Sequence, residues 1–93
     1  MTTVEQLLGI EYPILQGAMA NISTHKLVGP VSEAGGLGII GACGMSAEQL
    51  REEIRLTRAI TNKPFGVNLM LQIPNCDELV QVILEEGIGV VTT

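Results

Sequence analysis

One alternation, repeated along the chain, most constrains what this sequence can fold into. A short aliphatic run ends in small or polar residues, a helical stretch follows, glycine stops it, and the next run begins. The runs lie near residues 14–16, 37–41, 65–70 and 88–92. Each interval is filled by a helix, and helical crossovers join parallel strands, which cannot be linked by tight hairpins. The chain therefore reads as α/β, with about four βα units and parallel strands.

Taken in order, Thr2 to Gly9 predicts a short lead-in helix with Val4, Leu7 and Leu8 on one face and Gly9 as its stop. Tyr12 precedes Pro13 and is pushed into extended backbone. Ile14 to Gln16 is then the first strand, an apolar run of the kind buried on both faces. It turns polar at Gln16, small at Gly17-Ala18 and thioether-bearing at Met19, an end that a flat ligand can approach closely. Ser23 or Thr24 caps the next helix, which carries Leu27, Val28, Val31 and Ala34 inward and stops at Gly35-Gly36. Gly29-Pro30 inside that helix predicts a kink there, or a start at Gly29, because proline in a helix interior costs about 3 kcal/mol.

Leu37 to Gly41 is the second strand, ending in Ala42-Cys43-Gly44. Ser46-Ala47-Glu48-Gln49 fits a capping box. The helix after it turns Leu50, Ile54, Thr57 and Ile60 one way, and Arg51, Glu52, Arg55 and Arg58 outward as a solvated face. Phe65 to Met70 is the third strand, with Asn68 its conspicuous polar residue. Asn75 or Asp77 caps a helix bearing Leu79, Val80, Ile83 and Leu84. Glu85 and Glu86 are its solvated end, and Ile88 to Thr92 is the fourth strand.

Composition narrows the function. The net charge is −5, and the chain holds one Tyr, one Phe and no Trp. Neither a phosphate-binding basic patch nor a base-stacking platform can be built from that, so nucleic acid is excluded as a partner. No apolar window is long enough to cross a membrane, and the N-terminus lacks the pattern of a secretory leader. Cys43 and Cys76 read as reduced thiols of a cytoplasmic protein, and their spacing fits neither a zinc site nor a redox pair.

Two architectures suit parallel strands in this pattern. A doubly wound sheet announces a dinucleotide site with a glycine fingerprint after its first strand, and Gly17-Ala18-Met19 does not match it. A (β/α)₈ barrel places its chemistry at the C-terminal ends of its strands. There the sequence keeps its unusual residues: Gln16 to Met19, Gly41 to Cys43, Asn68, and Thr92-Thr93. A whole barrel needs about 250 residues, so the expected architecture is the N-terminal half of one.

Four blocks, PILQGAMA, VSEAGGLGIIGA, KPFGVNLML and EEGIGVVTT, in this order and at these intervals, closely resemble the N-terminal part of one flavin enzyme family. It is the FMN-dependent (β/α)₈ family of enoyl-acyl-carrier-protein reductase II and nitronate monooxygenase (also called 2-nitropropane dioxygenase). The combination of blocks looks more like the reductase branch. The resemblance implies that Gly17, Ala18 and Met19 lie against the flavin ring and that Asn68 hydrogen-bonds it. By the same correspondence Thr92 stands at the mouth of the fourth strand beside the cofactor. It further implies that NADH or NADPH reduces FMN, and that an enoyl thioester in fatty-acid synthesis takes up the hydride. In the sister branch the substrate is a nitronate.

Three departures accompany the match. Ala18 stands where the reductases often have glycine, Gly29-Pro30 interrupts a smoother helical run, and the family's catalytic His and phosphate-binding loops have no counterpart here. No residue of this chain is assigned a catalytic role. His25 is expected exposed at the start of a helix, and Cys43 reads as a small core residue, though a strand-mouth thiol could also face a ligand. Cys76 reads as a loop thiol. Two rival readings stay open: a non-catalytic half-barrel that self-associates or pairs with a missing C-terminal half, and a small doubly wound nucleotide-binding module.

Overall fold

The computed structural model describes all 93 residues. Helix α1 (Val4–Leu8) opens the chain, followed by α2 (His25–Glu33), β1 (Gly38–Gly41), α3 (Ala47–Ile60), β2 (Phe65–Asn68), α4 (Cys76–Glu85) and β3 (Val91–Thr92). The strands form one parallel sheet in the order β1-β2-β3. Ahead of β1 lies a single parallel bridge, Leu15 to Leu37. The expected first strand, Ile14 to Gln16, is thus reduced to one bridge, held by Gln16 N to Leu37 O and Leu37 N to Ile14 O, both 2.9 Å. Nor is it buried on both faces: Ile14 is 62% exposed and Leu15 46%, because no strand lies beyond it.

Local chemistry explains the helix ends. Thr3 and Gln6 form a capping box on α1, and Ser46 and Gln49 form the expected one on α3. Gly9, at φ 71°, ends α1 in the left-handed conformation. Thr24 caps α2, while Ser23 is buried and used elsewhere. Neither Asn75 nor Asp77 caps α4 with its side chain. Asn75 sits at the cap position, yet its Nδ2 reaches across to Met45 O at 2.9 Å. Helix α2 starts at His25 and runs unbroken through Pro30, so a start at Gly29 is not what forms. Gly29 has another use, since a Cβ there would stand 2.8 Å from the side chain of Ile60. Its absence lets α2 and α3 pack closely.

The core lies between the sheet and its helices. Val28, Ile40, Leu50, Ile54, Val67 and Leu79 are fully buried there, joined by Ala42, Phe65, Leu69, Val82 and Ile83. Each large aliphatic side chain so covered contributes about 1.5–3 kcal/mol. Ile10, Leu37 and Ile39 form a smaller cluster, with Leu8, Ala18 and Val90 packed on it. Ile39 and Ile40 enter different clusters because neighbouring strand residues point to opposite faces.

Several faces differ from expectation. Val4 and Leu7 are exposed, and α1 buries no residue. On α2 the buried set is Val28, Gly29 and Ser32, and Ala34 is exposed. Ile60, Val80 and Leu84 are exposed too, with Val82 buried in their place. Cys76 is the first residue of α4, half-buried against the main core, and not a loop thiol. The arginine face of α3 is not simply solvated. Arg51 bridges Glu85 at 2.5 Å and Glu86 at 2.8 Å, while Arg55 and Arg58 lie 3.5 and 3.3 Å from Glu86, whose side chain is only 10% exposed. Three cations on one helix thus gather around the carboxylates at the end of the next. No helix is long and apolar enough to cross a membrane.

Candidate functional site

All strands run parallel, so their C-terminal ends share one edge. Register places Gly41 beside Asn68 and Asn68 beside Thr92. Alternation along β1 puts Gly41 on the same face as Ile39, away from the main helix-side core. Gly41, Asn68 and Thr92 therefore form a lateral row on that face. Thr92 Oγ1 donates to Asn68 Oδ1 at 2.8 Å. That bond fixes the amide and leaves Asn68 Nδ2 as a donor without a partner in the chain.

The segment after the Leu15 bridge completes this edge. A Cβ on Gly41 would stand 3.0 Å from Met19 O, so glycine lets the loop settle against β1. Ala18 packs on the Ile10–Leu37–Ile39 cluster, whereas the Met19 side chain is half in solvent. A Cβ on Gly17 would meet nothing within 4 Å. The backbone N–H groups of Gly17 and Ala18 and the carbonyl of Ala18 have no hydrogen-bond partner in the chain. This edge thus offers open space over Gly17, free main-chain polar groups, a polarizable thioether and one oriented amide donor.

Sequence reasoning missed what holds the loop. Gln16 Oε1 accepts from Ile39 N at 3.1 Å, and its Nε2 donates to Ile39 O at 3.3 Å. The carboxamide thereby pairs with β1 as a peptide group would, extending the ladder where the backbone leaves it. The two Nε2 hydrogens are shared among the Ile39 carbonyl, Gly17 O and, at 2.8 Å, Ser23 Oγ. Ser23 Oγ accepts from Met19 N at 2.8 Å. An amide directly after an apolar run was the only local signal for this knot.

The remaining chemistry-bearing residues lie apart from that row. His25 is partly buried, with Nδ1 2.6 Å from Glu53 Oε2 on α3, and the same oxygen accepts from His25 N at 2.9 Å. That pairing corrects the expectation of an exposed histidine. Cys43 is half-buried, 4.0 Å from the sulfur of Met70. The largest groove, about 680 Å³, lies at the opposite end of the strands, lined by Leu7, Arg58, Lys63, Phe65 and Val90 among others.

The nitronate monooxygenase family model matches residues 1–89. Over 66 residues the chain is 50% identical to a probable nitronate monooxygenase of Staphylococcus aureus, covering 71% of this chain and 19% of that protein. It is 35% identical over 89 residues to a 5-hydroxy-7a-methyl-1-oxo-octahydro-indene-4-carboxyl-CoA dehydrogenase of Mycobacterium tuberculosis, covering 96% of this chain and 25% of the other. The solved structure of FabK from Thermotoga maritima superposes with a TM-score of 0.92 at 52% identity, over 95% of this chain and 28% of FabK. The chain thus spans a quarter or less of the curated relatives just described. Its parallel sheet and helices are those of the N-terminal portion of a TIM-barrel enzyme, and the chain belongs to the nitronate monooxygenase family of oxidoreductases.

Proposed function

We propose that this chain forms one wall of an FMN pocket in an oxidoreductase of the enoyl-acyl-carrier-protein reductase II type. The observation that carries the reading is the Asn68–Thr92 pair. Thr92 occupies the acceptor of Asn68 and leaves a fixed N–H donor at the strand-end edge, next to a loop whose Gly17 is open. A flavin ring presents a flat apolar face and an edge of carbonyl and ring-nitrogen acceptors, and this donor set fits both. No Lys or Arg lies within residues 15–23, 41–45, 68–72 or 92–93, so these residues suit the ring end of FMN and not its phosphate.

In this reading Gly17 and Ala18 admit the ring to the backbone, Met19 packs on it, and Asn68 orients it with Thr92 as support. Bound FMN would supply the hydride chemistry, with NADH or NADPH as reductant. The chain's own residues bind, orient and exclude water. Identity of 52% with FabK across nearly the whole chain favours the reductase branch and an enoyl thioester substrate. The S. aureus relative supports the second reading, nitronate oxidation. Unpaired Cys43 and Cys76 suit a reducing, cytoplasmic compartment. Exposed Ile14, Leu15 and Val91 at the two open sheet edges suit further strands, from a C-terminal half or from a second copy.

The test is a titration of the protein with FMN, followed by visible absorbance and flavin fluorescence. Loss of one hydrogen-bond donor in Asn68→Ala should weaken binding about tenfold, with the wild-type melting temperature nearly kept. Equal affinity in the two proteins rules this pocket out. With binding in hand, turnover of NADH with an enoyl thioester against a nitronate decides the branch.

A further inference from the structure

Residues 16–19 have no regular secondary structure, and the residues beside them, Leu15 and Ile22, are largely exposed. Apart from Ala18, which packs on the Ile10–Leu37–Ile39 cluster, burial therefore does little to hold this loop. Ser23 does touch it, and it is the buried polar residue that lies there, at 1% exposure. We propose that Ser23 and Gln16 are positioning residues for the flavin-facing loop. They hold the Gly17–Met19 backbone in one conformation, so that the cofactor meets an edge already ordered. This inference rests on the reading of that loop as a flavin wall.

The hydrogen bonds divide the task. Gln16 ties the loop to β1 through both polar groups of Ile39, and to Ser23 through Nε2. Ser23 closes the loop on itself by accepting from Met19 N, and its hydroxyl lies 3.5 Å from Gly17 O. The Ser23 backbone adds two more ties, its N–H donating to Met19 O at 2.8 Å and its carbonyl accepting from Gly41 N at 3.1 Å. Gly41 leaves the space into which Met19 O fits. Between them these groups take up the polar atoms of Gly17 O, Met19 N and Met19 O, while Gly17 N, Ala18 N and Ala18 O stay free. A loop sorted in this way has its binding groups set aside before a ligand arrives, which removes the ordering cost from binding.

Ser23→Ala and Gln16→Glu separate this role from general stability. Amide exchange at Met19, measured without flavin, reads the clamp directly. In Ser23→Ala it should speed up about tenfold, with Ile40 and Val67 in the sheet unchanged, and the FMN dissociation constant should rise by a similar factor. Gln16→Glu provides the conservative rescue. A protonated carboxyl still accepts from Ile39 N and keeps one of the amide's two donors, whereas a carboxylate keeps none and repels the Ile39 carbonyl. The ratio of variant to wild-type dissociation constants should therefore be smallest well below the ordinary glutamate pKa of about 4.3 and climb above it. Should Ser23→Ala not fold, this pH profile tests the clamp alone. Faster Met19 exchange with unchanged FMN affinity, while Asn68→Ala still weakens binding, overturns the positioning role and leaves the flavin pocket standing. Unchanged Met19 exchange overturns the clamp itself.

Discussion

The helix-covered side of the sheet and the loop at its strand-end edge are held by different forces. Behind β1 and β2, Ile40, Leu50, Ile54 and Val67 are fully buried, and the buried hydroxyls are few: Ser32 Oγ accepts from Gly38 N, and Thr57 Oγ1 donates to Glu53 O within α3. Across residues 14–22 the large side chains Ile14, Leu15, Met19 and Ile22 are all substantially exposed. Order there comes from one amide and one hydroxyl, each used several times. Packing is strong but fills space. A surface that must accept a ligand has to stay open, so it is held by hydrogen bonds from behind.

The contrast breaks most directly at two leucines. Leu50→Ala empties a fully buried position and should cost about 2–5 kcal/mol. Leu15→Ala, where nearly half the residue is already wet, should cost under about 1 kcal/mol. Urea unfolding of the two variants, with slopes matching the wild type, checks the pair. Equal losses would mean that the loop is held by burial after all.

Two glycines sharpen the same contrast at lower cost. A Cβ on Gly38 would stand 2.5 Å from Val28 O and 2.8 Å from its Cγ1, so α2 would have to move off β1. Gly38→Ala should lose about 1–3 kcal/mol. Gly17→Ala meets open space and should stay within about 0.5 kcal/mol of the wild type. Thermal unfolding of both should give a clear drop for the first and almost none for the second. A large loss at Gly17 would show that its neighbourhood is packed, and the open surface assigned to the flavin would disappear.

What could be read from the sequence follows a similar division. The alternation of helices with strands, the capping box at Ser46-Gln49 and the stop at Gly9 depend on residues a few positions apart and were legible, and the parallel pairing followed from the helical crossovers. Asn68 stood out as a polar residue in an aliphatic strand. Its partner Thr92 lies 24 residues away, and Gln16 finds Ile39 at 23, so neither bond has a local signature. The first strand was over-read because its aliphatic run looks like a core strand, and only the position at the edge of the sheet exposes it. Glu85 and Glu86 looked like a solvated helix end for the same reason: their arginine partners come from the preceding helix, 28 to 35 residues back.

The smallest expected effect comes from that ion cluster, and its sign is fixed by the carboxylates. The hydrogen bond from Arg51 holds Glu85 below the usual carboxylate range. Glu86 is pushed up by desolvation, but Arg55 and Arg51 outweigh that and leave it lowered as well. A carboxylate with a lower pKa folded than unfolded contributes stability that is present above the unfolded value, about 4.3, and is lost as pH falls through the folded value. Stability should therefore decline on acidification below about pH 4. Arg51→Ala should flatten that decline, and added salt should do so partly, because much of the cluster is exposed. The loop clamp contains no titrating group, since Gln16 and Ser23 carry no charge near neutrality. While circular dichroism shows the chain still folded, the protection of the Met19 amide should then stay level across the range in which the α3–α4 contact weakens. A parallel loss of both would tie the loop to the helix layer and end the distinction between them.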